Sequence, residues 1–167
     1  MLHLALAALL TIDPAKSTAT FSVQHIFVER VTGTVPIVGG TIDVPDGSLV
    51  PTSVSAVLDP KKFHTDEPDR DAAMQTPDWF DTTKFPTWTF TSTKIVPTAN
   101  GFTMDGLFTM HGVAQPEHLL VVASGDPAHP IYHATCEVDR KAFGMATTRL
   151  DPVIGNVVDV TLDVRVK

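Results

Sequence analysis

TATFSVQH, residues 18–25, alternates without a break. Successive strand side chains point to opposite faces, so Ala19, Phe21, Val23 and His25 share one side while Thr18, Thr20, Ser22 and Gln24 share the other. One side is apolar until its last member, which is ionisable. The stretch reads as a half-buried antiparallel strand, and it raises the question of what His25 meets at the end of its row.

The same period recurs. In NVVDVTLDVRVK (156–167), Val158, Val160, Leu162, Val164 and Val166 share a face, and the opposite face is almost wholly polar. IYHATCEV (131–138) sets Tyr132, Ala134, Cys136 and Val138 together, and GFTMDGLFTMHG (101–112) aligns Phe102, Met104, Phe108 and Met110, with Gly106 breaking the row as at a bulge or bend. TSVSAVLD, FPTWTFTSTKI, GGTIDV and EHLLVVAS complete a set of eight strand candidates. Pro45-Asp46-Gly47, Asn100-Gly101, Gly125-Asp126-Pro127 and the Gly112–Pro116 corner supply turn chemistry between them. Residues 65–86 depart from this rhythm, and Asp69–Met74 predicts a short helix behind an Asp cap. The expected fold is all-β: an eight-stranded antiparallel up-and-down barrel with one helical insertion.

At 167 residues the chain suits one domain, able to bury about 70% of its unfolded surface without staples. Its single cysteine, Cys136, cannot form an intramolecular disulfide. A net charge of -7 repels phosphate backbones and anionic lipid surfaces, which argues against nucleic acid as a partner. LHLALAALL (2–10) is shorter than the roughly 20 residues needed to span a bilayer. Ala5-Leu6-Ala7 has the small-x-small form of a signal cleavage site but lacks a basic region before it. Residues 1–10 are therefore expected to be a truncated signal or an apolar N-terminal extension, and residues 11–167 the barrel domain.

Closure at eight strands leaves an interior that side chains fill or that holds one small ligand. Inward candidates are Phe21, Val23, Trp88, Phe90, Met104, Phe108 and Met110, with Met74, Trp79 and Phe80 from the helical insertion. Methionines and aromatics at this spacing suit a packed core as well as a tunnel.

TIDPAKSTATFSVQH, VTGTV, RDAAM…PDWFDTTKFPTWTF, DGLFTMHGV, VDRKAFG and IGNVVDVTL follow one another in an order that resembles the YceI-like family, polyisoprenoid-binding proteins with a lipocalin-like barrel. The resemblance runs from about Thr11 to Val166. It implies an elongated apolar tunnel that receives an isoprenoid or similar lipid, and mostly a periplasmic or secreted location, with a cytoplasmic one as the alternative. Carried over by position, Phe21, Val23 and His25 match the family's F-x-V-x-H strand, Arg70 and Asp71 its R-D pair, and Trp79, Phe80, Phe85 and Pro86 its aromatic elements. Gly106, Leu107, His111 and Gly112 match its G-L-x-x-x-H-G hairpin, and Phe143-Gly144 its F-G. Where the family commonly has His-Leu shortly after R-D, this chain has Ala73-Met74.

The expected ligand site therefore comprises Phe21, Val23, His25, Arg70, Asp71, Met74, Trp79, Phe80, Trp88, Phe90, Met104, Phe108 and His111. His25, His111, Arg70 and Asp71 are its polar members. For His25 the competing reading is a neutral imidazole satisfied by a backbone carbonyl or by Asp71, and for Arg70-Asp71 a structural ion pair. His129 and His133 stand about 13 Å apart in a strand, too far for one ion, and no Cys or carboxylate cluster has ligand spacing, so no metal is expected. There is no G-x-S-x-G elbow, H-E-x-x-H or phosphate loop. The expectation is a non-catalytic carrier of a long apolar lipid or isoprenoid quinone, bound without covalent attachment, with no other cofactor. The alternative is a filled barrel acting through its surface in stress or redox-chain support. A homodimer is compatible with either.

Overall fold

The computed structural model describes residues 6–145 and 153–167. It contains β1 (Ala7–Thr11), β2 (Thr18–His25), β3 (Glu29–Thr34), β4 (Ile37–Pro45), β5 (Ser53–Leu58), α1 (Pro68–Met74), β6 (Trp88–Pro97), β7 (Gly101–Met110), β8 (Val113–Asp126), β9 (His129–Asp139) and β10 (Ile154–Arg165). All strands belong to one antiparallel sheet in the order β1-β4-β5-β6-β7-β8-β9-β10-β2-β3.

The all-β antiparallel class is as expected, but there are ten strands rather than eight. Two escaped the pattern. ERVTGT of β3 carries one aliphatic residue and shows no apolar row, and Ala7–Thr11 lies in the stretch read as a leader or extension, yet it pairs with β4 from Ala7↔Pro45 to Thr11↔Thr41. The boundary drawn between residues 10 and 11 thus falls inside a strand.

β3 and β4 are one descending run interrupted only by Val35-Pro36. β3 borders β2 while β4 borders β5, so this run links the β3 end of the strand order to the strand next to β1 at the other and curls the sheet into a barrel wall. Two bonds carry the ladders across the kink: Val35 N–H to the Ala19 carbonyl (3.1 Å) and Asp59 N–H to the Pro36 carbonyl (2.9 Å). At the other end Ile12 bridges Val166, and Asp13 N–H reaches the Arg165 carbonyl at 2.8 Å. β2 neighbours β3, and from β4 to β10 each strand neighbours its successor in the chain; β3 and β4 do not pair with each other, and β1 adds to the free edge of β4.

Gly106 is not itself the bulge. It pairs regularly with Ser92 and Glu117, and the register shift lies opposite, between Ser92 and Lys94 of β6. A Cβ on Gly106 would sit 2.3 Å from the Phe90 ring, so the missing side chain is what lets that ring lie across β7. The helix also starts earlier than expected, with Pro68 in its first turn and Glu67 at the N-cap position without a side-chain cap, because proline's fixed φ pre-forms the first turn.

Two apolar clusters pack inside the barrel. One, towards Ile12 and Val166, includes Phe90, Phe102, Leu119 and Tyr132; the other, under the α1 segment, includes Phe63, Phe80, Trp88 and Phe143.

Candidate ligand cavity

Between these clusters lies a cavity of about 270 Å³. β2 presents Phe21, Val23 and His25 to it, β6 Trp88 and Phe90, β7 Met104 and Phe108, and the 65–86 segment Arg70, Met74, Trp79 and Phe80. β10 adds Val158, Val160, Leu162 and Val164, the apolar face its alternation defined. Of the residues expected at the site, only Asp71 and His111 are not in its wall.

A run of ring contacts lines the cavity towards α1. Phe21 stacks on Phe63 (5.0 Å between centroids), Phe63 meets Phe80 edge-on (5.1 Å), Phe80 meets Trp88 (4.7 Å), and Trp88 meets Phe108 (6.0 Å). Offset and edge-on arrangements of this kind satisfy the ring quadrupoles and hold the wall rigid.

The polar candidates separate into different roles. His25 is half-buried at the end of β2, with Nδ1 3.8 Å from Glu29 Oε2; among the described residues neither a carbonyl nor Asp71 satisfies it. Arg70 and Asp71 converge on buried Thr65 instead of pairing with each other. Arg70 Nε donates to Thr65 Oγ1 (2.9 Å), while Thr65 N–H and Oγ1 donate to the Asp71 carboxylate at 3.0 and 2.6 Å. Burial acts to raise the Asp71 pKa, but the Thr65 hydrogen bonds and the nearby His64 and Arg70 outweigh it and hold the carboxyl below its ordinary value. This clamp ties α1 to the loop before it. His111 sits in the β7–β8 turn at φ 54°, donates from Nδ1 to the Phe143 carbonyl at 3.0 Å, and lies edge-on to Phe85 at 5.4 Å. His25 and His111 therefore do not share a pocket. Among the described residues no three His, Cys, Asp or Glu side chains converge as metal ligands.

Trp88, one of the expected site residues, and Tyr132, which sequence did not single out for the site, bury Nε1 and Oη with no hydrogen-bond partner among the described residues, and burial pushes the Tyr132 phenol up to about 12, keeping it a donor. Sequence also passed over other wall residues. Arg140, 4% exposed, reaches the wall while its guanidinium donates to the carbonyls of Gly155 (2.8 Å) and Ile154 (3.0 Å) and to that of Met145. Glu117 also lines the cavity, and Cys136 faces it from β9. Burial, with the Asp139 carboxylate adding to it, pushes Glu117 from 4.5 up to about 7; burial, with Glu117 adding to it, pushes the Cys136 thiol up to about 12, which leaves it unreactive.

The sign for Glu117 follows from linkage. The folded protein holds this proton more tightly than the unfolded chain, so its contribution to stability is full below 4.5 and is lost as the pH rises through about 7. Glu117→Gln is therefore expected to be more stable than the parent at pH 8, by about 1–2 kcal/mol once its partial exposure is allowed for. At pH 4.5 the two should match. Thermal melts of both proteins from pH 4.5 to 8 check this; parallel curves would refute it.

A family model described as the YceI-like domain matches residues 10–166. The chain belongs to the YceI-like family. This YceI-like chain is 26% identical over 160 residues to a UPF0312 protein of Vibrio vulnificus, covering 92% of this chain and 82% of that one. Protein YceI of Shigella flexneri is 28% identical over 110 residues, covering 64% and 58%. Among solved structures, BcnA of Burkholderia cenocepacia superposes with a TM-score of 0.77 at 19% identity, over 93% of this chain and 99% of that one. A polyisoprenoid binding domain from Saccharophagus degradans, implicated in plant cell wall breakdown, superposes with a TM-score of 0.72 at 14% identity, over 97% and 99%. At these identities the likeness establishes the shared fold.

Proposed function

We propose that this protein binds one long-chain apolar lipid, an isoprenoid or isoprenoid quinone, inside the barrel and carries or stores it without chemical change. The observation that carries this reading is the apolar cavity of about 270 Å³, close to the lower end of the roughly 300–1,000 Å³ common for ligand pockets. A barrel packed solid with its own side chains, the basis of the surface-acting alternative, has no such space. Family membership and the polyisoprenoid binding neighbour support the same ligand class. Burying about ten CH2 groups gains on the order of 8 kcal/mol, against association costs of about 4–15 kcal/mol, which favours longer chains.

Both tryptophans of the sequence, Trp79 and Trp88, line the cavity, so their emission reports on its contents. Titration with an isoprenoid quinone is expected to quench that emission saturably at one equivalent, and native mass spectrometry should show the matching mass increase. No saturable quenching and no bound species would overturn the proposal.

A further inference from the structure

The barrel wall has a lateral fissure. β8 pairs with β7 from Val113 to Val122, but with β9 only from Leu120↔Thr135 to Asp126↔His129. Residues 113–119 of β8 therefore have no ladder on the β9 side, where the opposite segment, Cys136–Asp139, pairs with β10. Pro116, lacking an N–H, is suited to a strand stretch bonded on one side. The upper part of the opening is bridged by Gln115 Nε2 to the Ala142 carbonyl (2.9 Å) and by the His111 bond to Phe143. Below that bridge a surface pocket lies on the fissure, and Glu117, Cys136 and Val160 line both this pocket and the internal cavity. These three residues form the boundary shared by the two spaces.

Glu117 is the acidic side chain of that shared boundary. It lies in phase with Leu119 and Val121 on the apolar face of β8, with Gly106 opposite on β7. Among the described residues no hydrogen-bond donor or cation pairs with its carboxylate. The groups around it reinforce the negative field: Glu137 lines the outer pocket, and Asp139 lies near enough to act on Glu117. On the other side, His118 is paired with Asp105, Arg30 with Asp159, and Arg140 is engaged by backbone carbonyls. A carboxylate at the edge of an apolar cavity is costly unless a partner donates to it. Trp88 Nε1 and Tyr132 Oη, unpartnered among the described residues and 6% and 4% exposed by residue, are a separate sign that this interior accommodates a ligand with polar atoms.

We propose that the β8–β9 fissure is the head-group port of the cavity, where Glu117 selects amphiphiles whose head donates hydrogen bonds, amines foremost, and rejects anionic ones. This rests on the lipid-binding reading above and adds the head-group class to it. Raising the pH through neutrality ionises Glu117 and strengthens the preference for a cationic head.

The test compares hexadecylamine, hexadecanol and palmitate, equal chains with different heads, by tryptophan emission and native mass spectrometry at pH 8 and below micellar concentrations. The expected order is amine, alcohol, acid, with amine at least about 30-fold tighter than acid, as a charge-assisted hydrogen bond supplies. Glu117→Gln and Glu117→Leu should each reduce that ratio to about 3-fold or less, while hexadecanol still binds. Equal binding of amine and acid by the parent, or an unchanged ratio in folded Glu117 variants, overturns the head-group assignment and leaves the lipid reading standing. Failure of all three chains to bind overturns the lipid reading and this inference with it.

Discussion

Replacing Phe143 by alanine is expected to lower stability by about 3–5 kcal/mol. For a chain of this size that is a fall in Tm of about 6–20 °C. Phe143 ends the 3-10 turn Arg140–Phe143 and is 0% exposed. Its ring meets Phe108 edge-on at 5.7 Å, and its carbonyl accepts the His111 proton at 3.0 Å. The following Gly144, at φ 83°, occupies the left-handed conformation that ends the turn and allows the ring to point inward. Truncation would remove the ring from the base of the apolar cluster under α1, which has little freedom to collapse because the surrounding aromatics interlock. Equilibrium unfolding of Phe143→Ala measures the effect, and a loss below about 1 kcal/mol would show that this cluster is not the closed end of the core.

Ala134→Phe is expected to weaken uptake of an apolar chain by about 50- to 200-fold while the protein stays folded. Ala134 lies on the inner face of β9, opposite Val121 of β8 and Leu162 of β10, and lines the cavity. A ring placed there displaces about three or four CH2 groups of a bound chain, each contributing about 0.8 kcal/mol, and each 1.4 kcal/mol is tenfold in affinity. Overpacking a full core costs about 1–3 kcal/mol; a site with room beside it should lose less. Titration with the isoprenoid quinone, alongside a thermal melt, separates loss of space from loss of fold. Undiminished binding by the folded variant would mean that the chain lies elsewhere.

Alternation made the strand faces legible. The rows Phe21–Val23–His25, Trp88–Phe90 and Val158–Val164 all turn towards the cavity because period 2 leaves an apolar row no other buried side. What alternation could not supply was long-range pairing. Asp71 follows Arg70 in sequence, yet both are directed to Thr65, and the Arg140 partners come from the far end of β10 and from Met145. β3 was hidden because Val31 is the one aliphatic side chain on its inward row of Glu29, Val31 and Gly33, so only its ladder with β2 declares it. Glu117 was within reach of the sequence. In EHLLVVAS it shares parity with Leu119, Val121 and Ala123, and an acid in phase with an apolar row is as strong a signal as the histidine that ends TATFSVQH.

The most direct measurement of the central claim is an electron-density map of the protein saturated with an isoprenoid alcohol. The structure predicts one continuous chain inside the barrel, passing Phe90 and Leu162 and lying within van der Waals contact of Trp88. A chain bound only on the outer surface, with the interior unchanged, would contradict it.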